Sequence, residues 1–180
     1  MIKFRDLTAN EIDVRIGQIS KTGKGISLLL YKDARCDMAI LDETVGAENW
    51  EREHYECKGN LFCKVGINTN YNKEGGLPNW VYKSDCGTES NTEKEKGEAS
   101  DSFKRACVNW GIGRELYTSP FIWINPTDDK GQENYKLTKE GKCNNRFVVE
   151  KIVITDKRIT ALAIRNATLN KRVFVWQESK

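Results

Sequence analysis

Residues 93–113 read EKEKGEASDSFKRACVNWGIG, and this stretch decides the fold. Ala99, Phe103, Ala106, Cys107 and Trp110 stand at i, i+4, i+7, i+8 and i+11, the spacing of a helix that buries one stripe. Ser90, three residues before Glu93, offers a capping box, and Gly111 and Gly113 supply a stop. Projected at about 100° per residue, Lys104 and Arg105 flank the stripe on opposite sides, with Asp101 as an i, i+4 partner for Arg105. The spacing predicts a helix over 93–110 with cations at both edges of its packed face.

Upstream, residues 49–58, 60–68 and 80–86 alternate in the manner of strands, with Gly59 and Asn60 as a hairpin turn. The polar segment 71–79, with Gly75, Gly76 and Pro78, is a loop before the third strand. Three antiparallel strands thus feed the helix, which must cover their apolar face. Further upstream, Met38, Ile40, Leu41 and Val45 repeat helically and Gly46 closes that helix, while residues 25–31 form a short apolar strand. The run TANE at Thr8 matches a capping box, and Ile12 and Ile16 share a face, which predicts an N-terminal helix over 8–17.

Downstream, a short apolar segment 121–124 leads into a polar, turn-rich loop at 126–145 that reads as exposed and mobile. Residues 147–155, 159–166 and 172–177 return to a period of two and read as strands that extend the sheet or add a satellite layer. The expected class is α+β: an antiparallel β-β-β-α core packed on a long helix, with additional C-terminal strands. No linker marks a second domain, so the expectation is one domain over 1–180, with a core at 24–123 and a β segment at 146–177.

A formal charge of +3 arises from 29 Lys and Arg against 26 Asp and Glu, so a nucleic-acid site must come from local clustering. The six cysteines form no CxxC pair and read as reduced thiols of a cytoplasmic protein. Neither a signal peptide nor an apolar run of membrane length is present. The catalytic templates GxSxG, the Walker loop and HExxH are absent, and His54 is the sole histidine. Asp85, Glu89, Glu93, Glu95, Glu98 and Lys96 together are the one set that suits a metal-dependent nuclease, though helical charge runs are usually solvated faces. The expectation is no enzyme, no cofactor and no metal site.

KGEASDSFKRACVNWGIGREL resembles the signature helix of the Rad fifty-two type of single-strand DNA annealing proteins, whose phage members are called Sak-type. The matching positions are Glu98, Ala99, Lys104, Arg105, Trp110 and Gly111. LDETVGAENW, with Gly46 and Trp50, is similar to a second landmark of that family, and the resemblance spans residues 24–123. It implies single-stranded DNA binding and ATP-independent annealing of complementary strands in homologous recombination and DNA repair, on a closed homo-oligomeric ring. It also implies that Lys104 and Arg105 line a groove and hold the strand's backbone, leaving base edges available for pairing.

Arg35 lies one residue from the position of a family arginine ahead of the Gly-Trp landmark. Two positions depart from the family pattern, Val108 for an arginine and Ala47 for an aromatic. A groove lined differently draws on Lys64, Lys83, Lys94, Lys96, Trp80 and Tyr82, with core packing the preferred reading for Trp80 and Tyr82, and with Phe103 and Trp110 read as core. The implied partners are single-stranded DNA, its complement, further copies of the chain, and a nuclease or a single-strand-binding protein; a phage-encoded chain works in the host cell cytoplasm. Two alternatives stand beside annealing: strand protection or delivery without annealing, and the nuclease.

Overall fold

The computed structural model describes residues 2–88 and 94–179, with the Lys94 side chain outside the description. The Ser90 and Glu93 capping box therefore lies outside the described residues, as do Glu89 and the side chain of Lys94. Along the chain run β1 (Asp13–Ile19), β2 (Ile26–Tyr31), α1 (Ala34–Val45), β3 (Trp50–Cys57), β4 (Asn60–Asn68), β5 (Trp80–Cys86), α2 (Lys94–Trp110), β6 (Ile122–Ile124), β7 (Phe147–Thr155), β8 (Arg158–Asn166) and β9 (Lys171–Gln177). The class is α+β with two antiparallel sheets. Helical structure is divided between α1, the helix closed by Gly46, and α2, which lies against the three-stranded sheet.

The chain falls into two compact units, one built from Met1–Asp6 and Asp33–Arg114, the other from Leu7–Lys32 and Glu115–Lys180. Both are discontinuous in sequence, so no linker composition marks their boundary. In the first unit the sheet order is β3-β4-β5. Lys58 and Gly59, at φ 54° and 75°, make the two-residue turn between β3 and β4, and both positive values match the turn that follows right-handed strand twist. Cys63, Val65 and Ile67, alternate residues of β4, are fully buried, as are Phe103, Ala106 and Cys107 of α2, which lies against β4 and β5. Trp50 stacks on Phe103 with ring centroids 6.1 Å apart, and the Trp110 indole N–H donates to the Val65 carbonyl at 3.1 Å. The α1 helix starts at Asp33, whose carboxylate accepts from the Arg35 N–H at 2.7 Å, and stops at Gly46 with φ 85°.

The second unit holds a six-stranded antiparallel sheet ordered β6-β2-β1-β7-β8-β9. The expected N-terminal helix is corrected here. The Thr8 and Glu11 capping box forms, but it caps a single 3-10 turn, Ala9–Glu11, and Asp13–Ile19 is the strand β1. Ile12 and Ile16 are four apart, which suits both periods; Val14 between them is the residue that fits only the strand, and β-branched side chains favour it. The 25–31 strand and the 121–124 segment, assigned to the core with the helix, instead pair with each other as β2 and β6 in this second sheet. The C-terminal strands extend this sheet.

The 126–145 loop is also corrected. Two short bridges, Thr127 to Glu133 and Leu137 to Cys143, fold it on itself, and Asn134 and Tyr135 are buried. Asn134 is held from both sides, its side chain donating to the Asn125 carbonyl and its own carbonyl accepting from Asn166 at 2.9 Å. Beside it, Glu150 on β7 accepts from Arg165 at 2.6 Å and from Arg172, which lowers its pKa from 4.5 to about 2.

Two expected outcomes test this packing. Phe103→Ala removes a fully buried ring and lowers unfolding free energy by about 3–5 kcal/mol; a change under about 1 kcal/mol in urea unfolding would place the ring outside the core. Glu150, with a depressed folded pKa, contributes stability that is present above 4.5 and lost as pH falls towards about 2. Glu150→Gln is therefore less stable than the parent near neutrality, and the difference shrinks through that acid window. An unchanged difference across the window would mean that the two arginines do not depend on the charge.

Candidate nucleic-acid interface

The register of the first sheet sorts its side chains between two faces. Arg52, Val65 and Lys83 form one cross-strand row and His54, Cys63 and Asp85 the next, and these rows face α2. Glu51, Gly66 and Tyr82 form a row on the opposite face, followed by Glu53, Lys64 and Ser84. A one-residue shift in sequence thus separates side chains that meet the helix from those that do not.

On the helix side, Arg105 pairs with Asp85 of β5, its Nη2 at 3.2 Å from the carboxylate. Asp101, the expected partner, instead accepts from the Thr88 N–H and hydroxyl. Lys104 is half-buried, and its ammonium has no hydrogen bond or ion pair among the described residues. Arg35 is exposed on the first turn of α1, and its guanidinium likewise has no partner among the described residues. The helices α1 and α2 touch, so the structure brings the elements bearing Lys104 and Arg35 together. Lys96 is exposed near the start of α2.

At the other end of α2 two cations cover the helix C-terminus. Lys83 donates to the Asn109 carbonyl at 2.7 Å and sits 4.7 Å from the centre of the Trp110 ring. Arg114 donates to the Val108 and Asn109 carbonyls at 3.1 to 3.3 Å. These carbonyls are the negative end of the helix dipole, which favours cations there. Ile2, Thr69, Lys83, Trp110 and Arg114 line an open cavity of about 400 Å³. Trp110 is consequently half-buried and forms a wall of this cavity, while Phe103 is fully buried.

Lys64 is not brought to this side. It pairs with Glu53 and lies 5.2 Å from the Tyr82 ring centre, and the Glu53 carboxylate raises its pKa. Trp80 and Tyr82 are corrected from core to the face away from α2, where they stack on each other and Tyr82 is 45% exposed. The Tyr82 ring covers Gly66, where a Cβ would come within 2.4 Å of it, and its hydroxyl donates to Glu51. Their alternation with Lys83 already put them on the face opposite to it; the sequence does not say which face the helix covers.

Two cations were missed. Arg52 lies 4.7 Å over the Phe103 ring, and its place two residues from Trp50 on the buried side of β3 was the available signal. Arg114 follows the helix stop, where cations complement the terminal carbonyls. Of the nuclease set, Asp85 is taken by Arg105, and the Glu98 carboxylate accepts from the Leu61 N–H at 3.0 Å. His54 has a ring nitrogen 3.1 Å from the Ala99 carbonyl, which requires the proton on that nitrogen. Among the described residues no three His, Cys, Asp or Glu are grouped to hold a metal ion, and no helix is long and apolar enough to cross a membrane.

The class so defined is an α+β domain whose signature helix covers an antiparallel three-stranded sheet and carries cations along its flank and at its C-terminus. The family model described as Rad52/22 family double-strand break repair protein matches residues 5–135, and the chain belongs to that family. No curated protein and no solved structure matches it. Membership places the chain among proteins of DNA recombination and repair.

Proposed function

We propose that this chain binds single-stranded DNA and anneals complementary strands in recombination, without nucleotide hydrolysis. The observation that carries the reading is the pair of cations without partners among the described residues, Lys104 and Arg35, on two touching helices of a family member. A cation already paired to a carboxylate must lose that partner or share it before it can neutralise a phosphate; a cation without one is available at once. Lys83 keeps spare donors, because an ammonium has three N–H groups and one is used on the Asn109 carbonyl. Together these cations hold the strand by its backbone. Base edges stay free to pair, and neutralised phosphates remove the charge repulsion that slows annealing.

The working form in this reading is a closed homo-oligomeric ring. Both outer strands of the first sheet, β3 and β5, have an unpaired edge, and β3 is exposed along nearly its whole length. Closed assembly would give such edges a fixed partner. A complementary strand, and a nuclease or a single-strand-binding protein that supplies and covers resected ends, complete the set of partners.

Lys104→Ala weakens binding of a fluorescent oligonucleotide for every sequence alike and flattens the slope of log affinity against log salt by about 0.7 per lost contact. Arg35→Ala behaves in the same way. Annealing of two labelled complementary strands in EDTA proceeds with the parent protein and falls with these variants. Strands bound but never annealed would favour a protecting role, strand cleavage that stops in EDTA would favour the nuclease, and an unchanged slope in both variants would move the groove elsewhere. Light scattering at micromolar concentration gives the mass of a large homo-oligomer; a monodisperse monomer with and without DNA would remove the ring.

A further inference from the structure

The charge of the chain is divided unevenly between its two units. The unit bearing α2 has 13 Lys and Arg against 16 Asp and Glu, a net charge of −3, whereas the other has 16 against 10, a net charge of +6. Residues 136–180, beyond the family match, contain 11 Lys and Arg against 4 Asp and Glu. The unit expected to hold DNA by its signature helix therefore does not supply the long-range attraction for a polyanion. The second unit does.

Within that second unit the topology brings several of these cations to one end of the sheet, Lys21 and Lys24 on one turn and five Lys and Arg, against four Asp and Glu, in the 125–146 loop. The strands β1, β6 and β8 run in one direction, so the β1–β2 turn, the 125–146 loop and the β8–β9 turn leave the sheet at the same end. The loop contains two successive turns of one design. Asp128 and Thr138 each donate a backbone N–H four residues on, to Gln132 at 2.9 Å and Lys142 at 2.7 Å. Each carbonyl accepts from a glycine, Gly131 or Gly141, at φ 73° and 75°. Their side-chain oxygens accept from Gln132 and Lys142 N–H groups.

The turns are anchored to the sheet: Lys171 reaches Asp128 and the Gln132 carbonyl, and Arg146 donates its N–H to Thr168. From this frame Lys130, Lys139, Lys142 and Arg146 project into solvent, with Lys21 and Lys24 on the β1–β2 turn at the same end. None of these six side chains has a hydrogen bond or ion pair among the described residues. The same loop carries four carboxylates: Asp128 pairs with Lys171 and Glu133 with Lys136, while Asp129 and Glu140, next to Lys130 and Lys139, have no ion pair among the described residues.

We infer that the 126–146 loop end of the second unit is a phosphate-backbone binding surface, separate in sequence from the helix cations and centred on Lys139, Lys142 and Arg146. The ligand class is nucleic acid, held through its phosphates without base readout, since the turns present ammonium and guanidinium groups and no exposed aromatic ring for stacking. This inference rests on the DNA-binding reading above. The anchored turns spare the ligand the cost of ordering the loop.

The test is the triple variant Lys139→Ala, Lys142→Ala, Arg146→Ala, with binding of a fluorescent single-stranded oligonucleotide measured across a salt series. The slope falls by about 0.7 per lost contact, so by about 2 for three contacts, while the melting temperature stays at the parent value. A variant with Lys139→Arg, Lys142→Arg and Arg146→Lys keeps the slope. Arg158→Ala, at the opposite end of the sheet and paired with Glu178, leaves it unchanged. A parental slope in the alanine variant overturns the inference and assigns the loop to an acidic protein or to solubility alone. If Lys104→Ala flattens the slope and the triple variant does not, the DNA-binding reading stands and this surface falls; if the parent protein binds no DNA, both fall.

Discussion

The burial of Phe103 between β4 and Trp50 fixes the rotation of α2, and the interface depends on that rotation. The ring is enclosed, with Trp50 stacked on it and the Arg52 guanidinium 4.7 Å from its centre. On a helix the next two residues sit about 100° and 200° further round. Once Phe103 is fixed, Lys104 and Arg105 have no freedom to exchange places: one has no partner among the described residues, the other faces Asp85 on β5. Trp110, two turns on, repeats the constraint through its N–H bond to the Val65 carbonyl. A rotation of α2 that exposed Phe103 would also break that bond.

The same sheet shows how strand alternation decides which charges are usable. Lys64 and Lys83 are similar in sequence terms, each in an alternating strand beside apolar residues. Lys83 shares a row with Val65 and so meets the end of α2; Lys64, one residue from Val65, points to the other face and pairs with Glu53. That second face is aromatic and acidic together, with Trp80 on Tyr82, Tyr55 on Phe62, and Glu51 and Glu53 alongside. Exposed carboxylates there oppose a phosphate backbone, so the charge pattern leaves the helix side as the face that suits DNA.

Much of this was legible in the sequence because it is local. The α2 stripe, the β3–β4 turn at Lys58 and Gly59 and the cap of α1 at Gly46 are each set by neighbouring residues, and each is found within a residue or two of its expected place. What was not legible is long-range. Asp85 is twenty residues from Arg105, so the local candidate Asp101 stood in its place. The N-terminal segment read as a helix because the capping box at Thr8 is real; its continuation as β1 depends on pairing with β2, which no local rule contains. The 126–145 segment read as mobile because its composition is polar, yet polar side chains such as Asp128 and Asn134 are what tie it down. Its order comes from hydrogen bonds, which composition does not reveal.

In the DNA-binding reading proposed above, Arg105 combines an internal ion pair with an external phosphate. Asp85 uses one Nη2 contact at 3.2 Å, and the pair is partly open to water, the arginine side chain being 41% exposed. Such a pair is worth about 0–1 kcal/mol, too little to hold the guanidinium against a competing phosphate. In that reading the carboxylate is a positioning group: it holds the guanidinium against β5 and limits the side-chain entropy lost when a strand binds. Lys104 has no ion pair among the described residues to direct it, so in that reading it contributes charge without direction. A directed guanidinium beside an undirected ammonium suits a ligand whose phosphates recur regularly while its bases vary, because the first sets the register of the backbone and the second tolerates its local changes.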